Sequence, residues 1–566
     1  MEHRPWHASY PAGLPREIVL DDSETLVTLL ERAFTKHSAR TAVTCAGESL
    51  TFAQVEHASA LLARSLQAAG LKRGDRVALL LHNNLVYPVA LAAILRAGMV
   101  GVTMNPLYTA RELQYQLADS GASALVAAEP FMGVVTEVLG QTQLRYVMTV
   151  PMQEVKQALF ATASDASATV LSDGPRVVSL RDATAALPDA DFASEQMRPS
   201  DLAFLQYTGG TTGVSKGACL THRSVLASSL QMRSWLGLAL DIDNFEIVTP
   251  LPLYHIFPLG TTLTALASGA HNRLVVNPRD AQALCAELKR APFDMLIGVN
   301  TMFNAMVMLP ELPGIDFSRC NVVIGAGASI QAAVAAKWVA AGGPPITEAY
   351  GLTETSPSVT FNAPGRNGTI GAPVPSTDVL IVDDAGDPVP LGTPGELLIK
   401  GPQVFAGYWN REDETHRSFT QDGWFRTGDI VTMDAQGLMY IVDRKKDMIL
   451  VSGFNVYPNE IEGVVAMHPD VLECACVGVP DERSAEAPHL FVVRRAPGLR
   501  ADELEAHCRK LLAAYKVPRH ITFLESLPKS AVGKILRKEL RPISGGAADA
   551  AHRVEPAKAT AVTRRT

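Results

Sequence analysis

The sequence predicts an α/β protein: a large N-terminal domain of doubly wound sheets with a small β-barrel-like subdomain, followed by a small α+β C-terminal domain. Three observations predict it. The first half alternates short apolar runs with helical patterns. The middle becomes β-rich and turn-laden, and beyond Asp443 lies a compact mixed segment. With 566 residues, 47% hydrophobic and 19% charged, the chain has the length for several folding units and ample material for buried cores.

In chain order, Val77–Leu81 reads as a strand, Val86–Arg96 as an apolar helix, and Ala124–Ala128 and Tyr146–Val150 as further strands. Ser164–Asp189, rich in Ala, Ser and Asp, reads as a surface excursion. The apolar run Leu202–Leu205 precedes a glycine-rich loop, and Ala218–Leu220 reads as a second short strand, so the loop is expected at the tip of a hairpin. Ile247–His271 carries no formal charge. Pro250, Pro252, Pro258 and Gly260 break it, leaving too few helix-compatible residues to cross a bilayer, and it reads as a strand end, a loop and a core helix. From Thr369 to Tyr408 the turns Asp384-Ala385-Gly386 and Thr393-Pro394-Gly395 suggest a separate antiparallel sheet or small barrel. Past Asp443 the pattern gives a helix begun at Pro458, strands near Val471–Val477 and Leu490–Val493, and a helix over Ala501–Ala513. The expected domains are 1–443, with the β-rich part near 369–443, then 444–545, then a disordered tail over 546–566.

A net charge of −8 spread along the chain gives no support for nucleic-acid binding. Seven cysteines are scattered, and the close pair Cys474 and Cys476 lacks a second pair to complete a zinc site, so both read as core residues. A reducing, cytoplasmic setting fits. The N-terminus has no apolar stretch of the secretory kind, so no signal is expected.

The most informative stretch is 207–217, Tyr-Thr-Gly-Gly-Thr-Thr-Gly-Val-Ser-Lys-Gly. Backbone N–H groups, hydroxyls and one cation with little Cβ obstruction suit a polyphosphate. The Walker A spacing fails, because Lys216 lies between Ser215 and Gly217. The literal G-x-S-x-G at Gly213–Gly217 would suggest an esterase nucleophile at Ser215. That motif needs a strand before the serine and a helix after it, and a strand is expected instead.

Four further segments carry chemistry. Tyr350-Gly351-Leu352-Thr353-Glu354 offers an aromatic for a purine, a hydroxyl, and a carboxylate able to hold Mg²⁺ against phosphate oxygens. Gly423–Asp429 ends in a carboxylate suited to ribose hydroxyls. The charged run Asp443–Ile449, continuing through Gly453 to Glu462, lies where the texture shifts and can serve as a hinge. Pro528–Ile535 sets Lys534 after a glycine in an exposed loop.

In order and content these five segments resemble the adenylate-forming superfamily of acyl-CoA synthetases, luciferases and peptide-synthetase adenylation domains. The resemblance covers residues 10–543. Leu202–Gln206 through Thr221-His222-Arg223, Pro252-Leu253-Tyr254-His255-Ile256-Phe257 and Asp443–Glu462 are most similar to bacterial long-chain fatty acyl-CoA synthetases.

That resemblance implies ATP-dependent activation of a long-chain fatty acid to acyl-AMP and then acyl-CoA, with Mg²⁺ as cofactor and ATP and CoA as co-substrates. Medium-chain acids stay open. It implies an ATP site of Thr208, Gly209, Gly210, Thr211, Thr212, Gly213, Ser215, Lys216, Tyr350, Gly351, Thr353, Asp429 and Arg444. Thr208 and Glu354 would hold the metal, and Lys534 would bridge the acyl carboxylate and the α-phosphate. His255 would gate an acyl pocket near Gly325, Ala326 and Gly327, where relatives commonly have three glycines and the Ala326 methyl would narrow the channel. Gly453 and Lys516 would meet CoA, and Lys446 would be the hinge of a mobile C-terminal domain. The alternatives are an acid:carrier-protein or aryl-CoA ligase of the same superfamily and, from another class, the Ser215 esterase. Peripheral association with the inner face of the cytoplasmic membrane and a homodimer are left open.

Overall fold

The computed structural model describes residues 4–161, 174–185, 192–208, 215–277, 280–452, 454–481, 484–530 and 533–546. The chain forms two compact units: Met1–Val442, with which Gly533 and Lys534 group, and a smaller unit from Asp443 to Ser530 resuming at Ile535.

Two large sheets build the first unit. The seven-stranded sheet runs, in spatial order, Arg176–Ser179, Tyr146–Val150, Ala124–Ala128, Arg76–Leu80, Val100–Thr103, Leu202–Thr208, Lys216–Thr221. All its neighbours are parallel except the last pair, which is an antiparallel hairpin. The nine-stranded sheet has a parallel centre running from Ile346–Tyr350 through Val322–Gly325, Met295–Gly298, Glu246–Thr249 and His271–Leu274 to Thr41–Cys45. Short antiparallel strands extend both of its edges. This is the doubly wound pattern predicted from the alternation of apolar runs and helices.

Helix Val86–Arg96 is buried along its whole length, as its continuous apolar sequence requires. It packs with helix Phe52–Ala68 in one core that also takes Val43 and Leu50 from the nine-stranded sheet and Val77 and Val126 from the seven-stranded one. Reciprocal caps start the surrounding helices: Thr25 with Thr28, Thr51 with Gln54, Thr109 with Glu112, Thr221 with Ser224. In open parallel sheets ligands bind beyond the carboxyl ends of the strands. Thr208, Gly325 and Tyr350 are each the last residue of their strand.

The β-rich part forms a four-stranded sheet in the order Asp378–Val382, Gly395–Lys400, Phe425–Met433, Met439–Arg444. In the smaller unit helix Pro458–Ala466 and helix Ala501–Leu511 share a core with strands Val471–Asp481 and Ala485–Arg494. Cys474 and Cys476 sit fully inside this core, and burial holds both thiols well above the ordinary cysteine pKa. Among the described residues no cluster of three or more His, Cys, Asp or Glu side chains could hold a metal.

One expectation needs correcting. Within Ser164–Asp189, Arg176–Ser179 is the edge strand beside Tyr146–Val150, and Leu180–Ala185 is a helix with Leu180 and Ala183 buried. The Val-Val pair and Leu180 supply the apolar surface; residues 162–173 and 186–191 lie outside the described set. The region Ile247–His271 is a strand end, a loop and the core helix Ile256–Ser268, and no described helix is long and apolar enough to cross a membrane. At the C-terminus helix Arg537–Gly546 takes the first residue assigned to the tail; the rest of it lies outside the described residues.

Candidate active site

Antiparallel pairing sets Thr208 directly opposite Lys216, so both described ends of the glycine-rich loop meet at one edge of the seven-stranded sheet. Gly209, Gly210, Thr211, Thr212 and Gly213 lie outside the described residues. The Ser215 hydroxyl donates to the Thr208 carbonyl at 2.5 Å, and the Tyr115 hydroxyl donates to the Ser215 carbonyl at 3.0 Å. Ser215 thus closes the loop neck. It leads into a strand, where a nucleophile elbow needs a helix.

The segment Phe405–Trp409 joins this hairpin to the motif at Tyr350–Glu354. Trp409 N–H donates to the Gly217 carbonyl at 2.8 Å, Cys219 N–H to Gly407, and Phe405 N–H to the Glu354 carbonyl at 2.8 Å. The Tyr408 hydroxyl donates to Glu354 Oε1 at 2.7 Å, and Lys216 Nζ lies 5.2 Å above the Tyr408 ring. Lys216 is ion-paired with Glu414. Burial, reinforced by Arg417, holds its amine below the ordinary lysine pKa. A cation and a carboxylate therefore flank one tyrosine beside the loop.

Tyr350 ends its strand with its hydroxyl donating to Asp429 Oδ2 at 2.6 Å. Asp429 is buried, and its own N–H donates to Thr427 Oγ1 at 3.0 Å. Gly351 follows; a Cβ there would run into the Pro357 carbonyl. Thr353 and Glu354 lie in the 3₁₀ turn after it. These predicted ATP-site residues of the larger unit are brought together. Arg444 ends strand Met439–Arg444 and falls, with the exposed Lys446, in the smaller unit.

His255 occupies the N-cap position of helix Ile256–Ser268, with its N–H donating to the Pro252 carbonyl at 3.1 Å. The turn before it is clamped. Gln206 Nε2 donates to the Tyr254 carbonyl at 2.6 Å, the Thr103 hydroxyl reaches the same carbonyl at 2.9 Å, and Asn83 binds the Leu251 carbonyl and the Leu253 N–H. Burial, then the positive charge of Lys534, lowers the His255 pKa to about 4, so the imidazole is neutral at neutral pH. Gly533, before that lysine, has φ +77°, and a Cβ on it would strike the Thr301 hydroxyl.

Gly325 ends its strand with room for no side chain: a Cβ would lie 2.7 Å from Ile330. Ala326 N–H donates to the Gly298 carbonyl at 3.2 Å, and Gly327 has φ +79°. The Ala326 side chain is buried in an apolar cluster with Trp235, Met232 and Phe361.

In the smaller unit Lys516 is ion-paired with Glu460 at 2.6 Å, beside the stacked rings of Phe454 and Tyr515. Gly453 lies outside the described residues.

Sequence reasoning missed the supports. Asp119 accepts from the Tyr207 hydroxyl at 2.6 Å and from Arg411 at 2.7 Å, bracing the strand that leads into the loop. Glu348, two residues before Tyr350, is buried and accepts the N–H groups of Ile330 and Gly368; burial pushes its carboxyl up to about 7. Its position in Thr-Glu-Ala-Tyr was the only local signal.

Residues 30–409 match the model of the AMP-binding enzyme family, and residues 460–534 match that of the AMP-binding enzyme C-terminal domain. The chain belongs to the AMP-binding enzyme family. It is 45% identical to a long-chain-fatty-acid–CoA ligase of Escherichia coli, across 96% of this chain and 99% of the relative. A protein of the same name from Haemophilus influenzae is 42% identical over 95% and 98% of the two chains. The fold is shared with a solved anthranilate CoA ligase in complex with anthranoyl-AMP, at TM-score 0.82 and 26% identity, covering 94% of this chain and 99% of that one. The adenylate-forming resemblance read from the five motifs is therefore established for this AMP-binding enzyme, as is its fold class.

Proposed function

We propose that this AMP-binding enzyme activates a long-chain fatty acid with ATP and transfers the acyl group to CoA. The observation that carries the reading is the full-length likeness to long-chain-fatty-acid–CoA ligases, in a chain whose motifs converge on one edge of the site. In the first step a carboxylate oxygen of the acid attacks the α-phosphorus of ATP and pyrophosphate leaves. In the second the CoA sulfur attacks the acyl carbonyl and AMP leaves.

The residues take these parts. The loop Thr208–Lys216 grips the β- and γ-phosphates. Tyr350 packs on adenine, Thr353 contacts the α-phosphate, and Asp429 holds the ribose hydroxyls, assisted by Arg444. Glu354 and the Thr208 hydroxyl would hold Mg²⁺. A site with one carboxylate suits Mg²⁺, which binds through few protein ligands and takes the remainder from phosphates and water. When bound, the ion neutralises charge on the leaving pyrophosphate. Lys534 stabilises charge building between the carboxylate and the α-phosphate. Neutral His255 lies at the mouth of the acyl pocket beside Gly325–Gly327. Lys446 is the hinge of a rotation that withdraws Lys534 and brings the Gly453 region and Lys516 to CoA.

The test is acid-dependent exchange of labelled pyrophosphate into ATP across C6 to C18 acids, anthranilate and benzoate. Exchange that rises with chain length toward the long acids, with thioester formed only when CoA is added, supports the proposal. Preference for the aryl acids, or transfer to a holo carrier protein without CoA, would move the protein to another branch of its family.

A further inference from the structure

Helix Arg537–Gly546 begins three residues after Lys534, and its first residue is the hub of a largely buried charge cluster within the smaller unit. Arg537 Nε and Nη2 form a fork on Glu462, at 3.1 Å to Oε1 and 2.8 Å to Oε2. Nη2 also donates to Asn459 Oδ1 at 2.6 Å, and Nη1 to Asp443 Oδ1 at 3.3 Å. The Asp443 side chain has no exposed surface. The same Oδ1 accepts the Arg444 N–H at 2.8 Å, and Oδ2 accepts the Asn459 N–H at 2.8 Å. Glu462 Oε1 takes the Cys476 N–H at 2.7 Å. One turn on, Arg541 reaches Asp447 and the Lys446 carbonyl.

The described ends of the Lys534 loop are pinned to each other just before this helix. Lys529 bridges Ile535, and Leu536 N–H donates to the Pro528 carbonyl at 2.9 Å. A buried ion cluster is a poor device for stability alone, because apolar side chains of the same volume serve as well. A planar guanidinium reading three partner residues is a good device for orientation.

We propose that Arg537 is a positioning residue that holds the Lys534 loop and the Arg444 backbone in one fixed frame. The inference rests on the adenylation role of Lys534. A carboxylate that fixes Arg444 on one side and Arg537 on the other makes the two segments a single rigid piece, so the lysine arrives at the reacting carboxylate already aimed.

The test uses the full chain with Arg537→Lys, which keeps the charge and loses the fork. Acid-dependent ATP–pyrophosphate exchange is expected to fall roughly 10²-fold, while thioester formation from supplied acyl-AMP and CoA stays near wild type. Hydrogen exchange at the Leu536 amide should quicken. Glu462→Gln is expected to reproduce the selective loss where Arg537→Lys folds poorly. A folded Arg537→Lys with wild-type exchange, an equal fall in both half-reactions, or unfolding of both variants overturns the proposal. Lys534→Ala, measured in parallel, separates the causes. Abolished exchange there with normal exchange in Arg537→Lys overturns the positioning role alone, whereas intact exchange in Lys534→Ala overturns the adenylation reading and this inference together.

Discussion

Lys534→Ala is expected to slow adenylate formation by a factor on the order of 10²–10³ while largely sparing the transfer of a supplied acyl-AMP to CoA. A preorganised cation acts where charge builds, and in the first step charge builds between the incoming carboxylate and the α-phosphate. That factor corresponds to about 3–4 kcal/mol of transition-state stabilisation. In the second step AMP departs as a stable anion, and the proposed rotation would have withdrawn the lysine. Lys534 already lowers the pKa of His255, the residue assigned to the acyl mouth, so its charge is felt where the carboxylate is proposed to bind. Single-turnover formation of acyl-AMP and of acyl-CoA from supplied acyl-AMP measures the split. Equal loss in both steps would mean that the lysine is structural.

Gly351→Ala is the second large effect, and its cause is steric. The methyl would be driven into the Pro357 carbonyl, a backbone atom that no rotamer change can move aside. The loop it closes is tight: Val359 N–H donates to the Tyr350 carbonyl at 3.1 Å, and the Thr355 hydroxyl lies 3.1 Å from the Pro357 carbonyl. Relief must come from displacing Tyr350 and the turn bearing Thr353 and Glu354. The expected cost is about 3 kcal/mol of stability, with weaker ATP binding, read by thermal melting with and without ATP. Gly133→Ala in helix Met132–Val138 meets open space and should melt at or above the wild-type temperature. A Gly351→Ala variant that melts and binds ATP like wild type would contradict this packing.

Local pattern carried the parts of the fold and site that were legible. The strands at Ala124–Ala128 and Tyr146–Val150 and the helix Val86–Arg96 appear with the predicted bounds, because their apolar runs are unbroken and their turns explicit. The hairpin at 202–221 followed from a second strand after the loop, and that strand also removed the esterase context from Ser215. Arg176–Ser179 was missed because a four-residue edge strand inside Ala- and Ser-rich sequence has little periodicity to show. The supports were illegible for a different reason. Asp119 meets Tyr207 and Arg411, Glu414 meets Lys216, and Arg537 meets Glu462 only through tertiary folding, so no spacing in the sequence announces them.

This AMP-binding enzyme is proposed to join the acid to AMP before the thiol enters. The most direct measurement follows oxygen from an ¹⁸O-labelled long-chain carboxylate through one turnover with ATP and CoA. The acyl carbonyl leaves adenylate with one fewer labelled oxygen, so ¹⁸O is expected in the phosphate of AMP and none in pyrophosphate. Label in inorganic phosphate with ADP as the nucleotide product, or AMP without label, would contradict it.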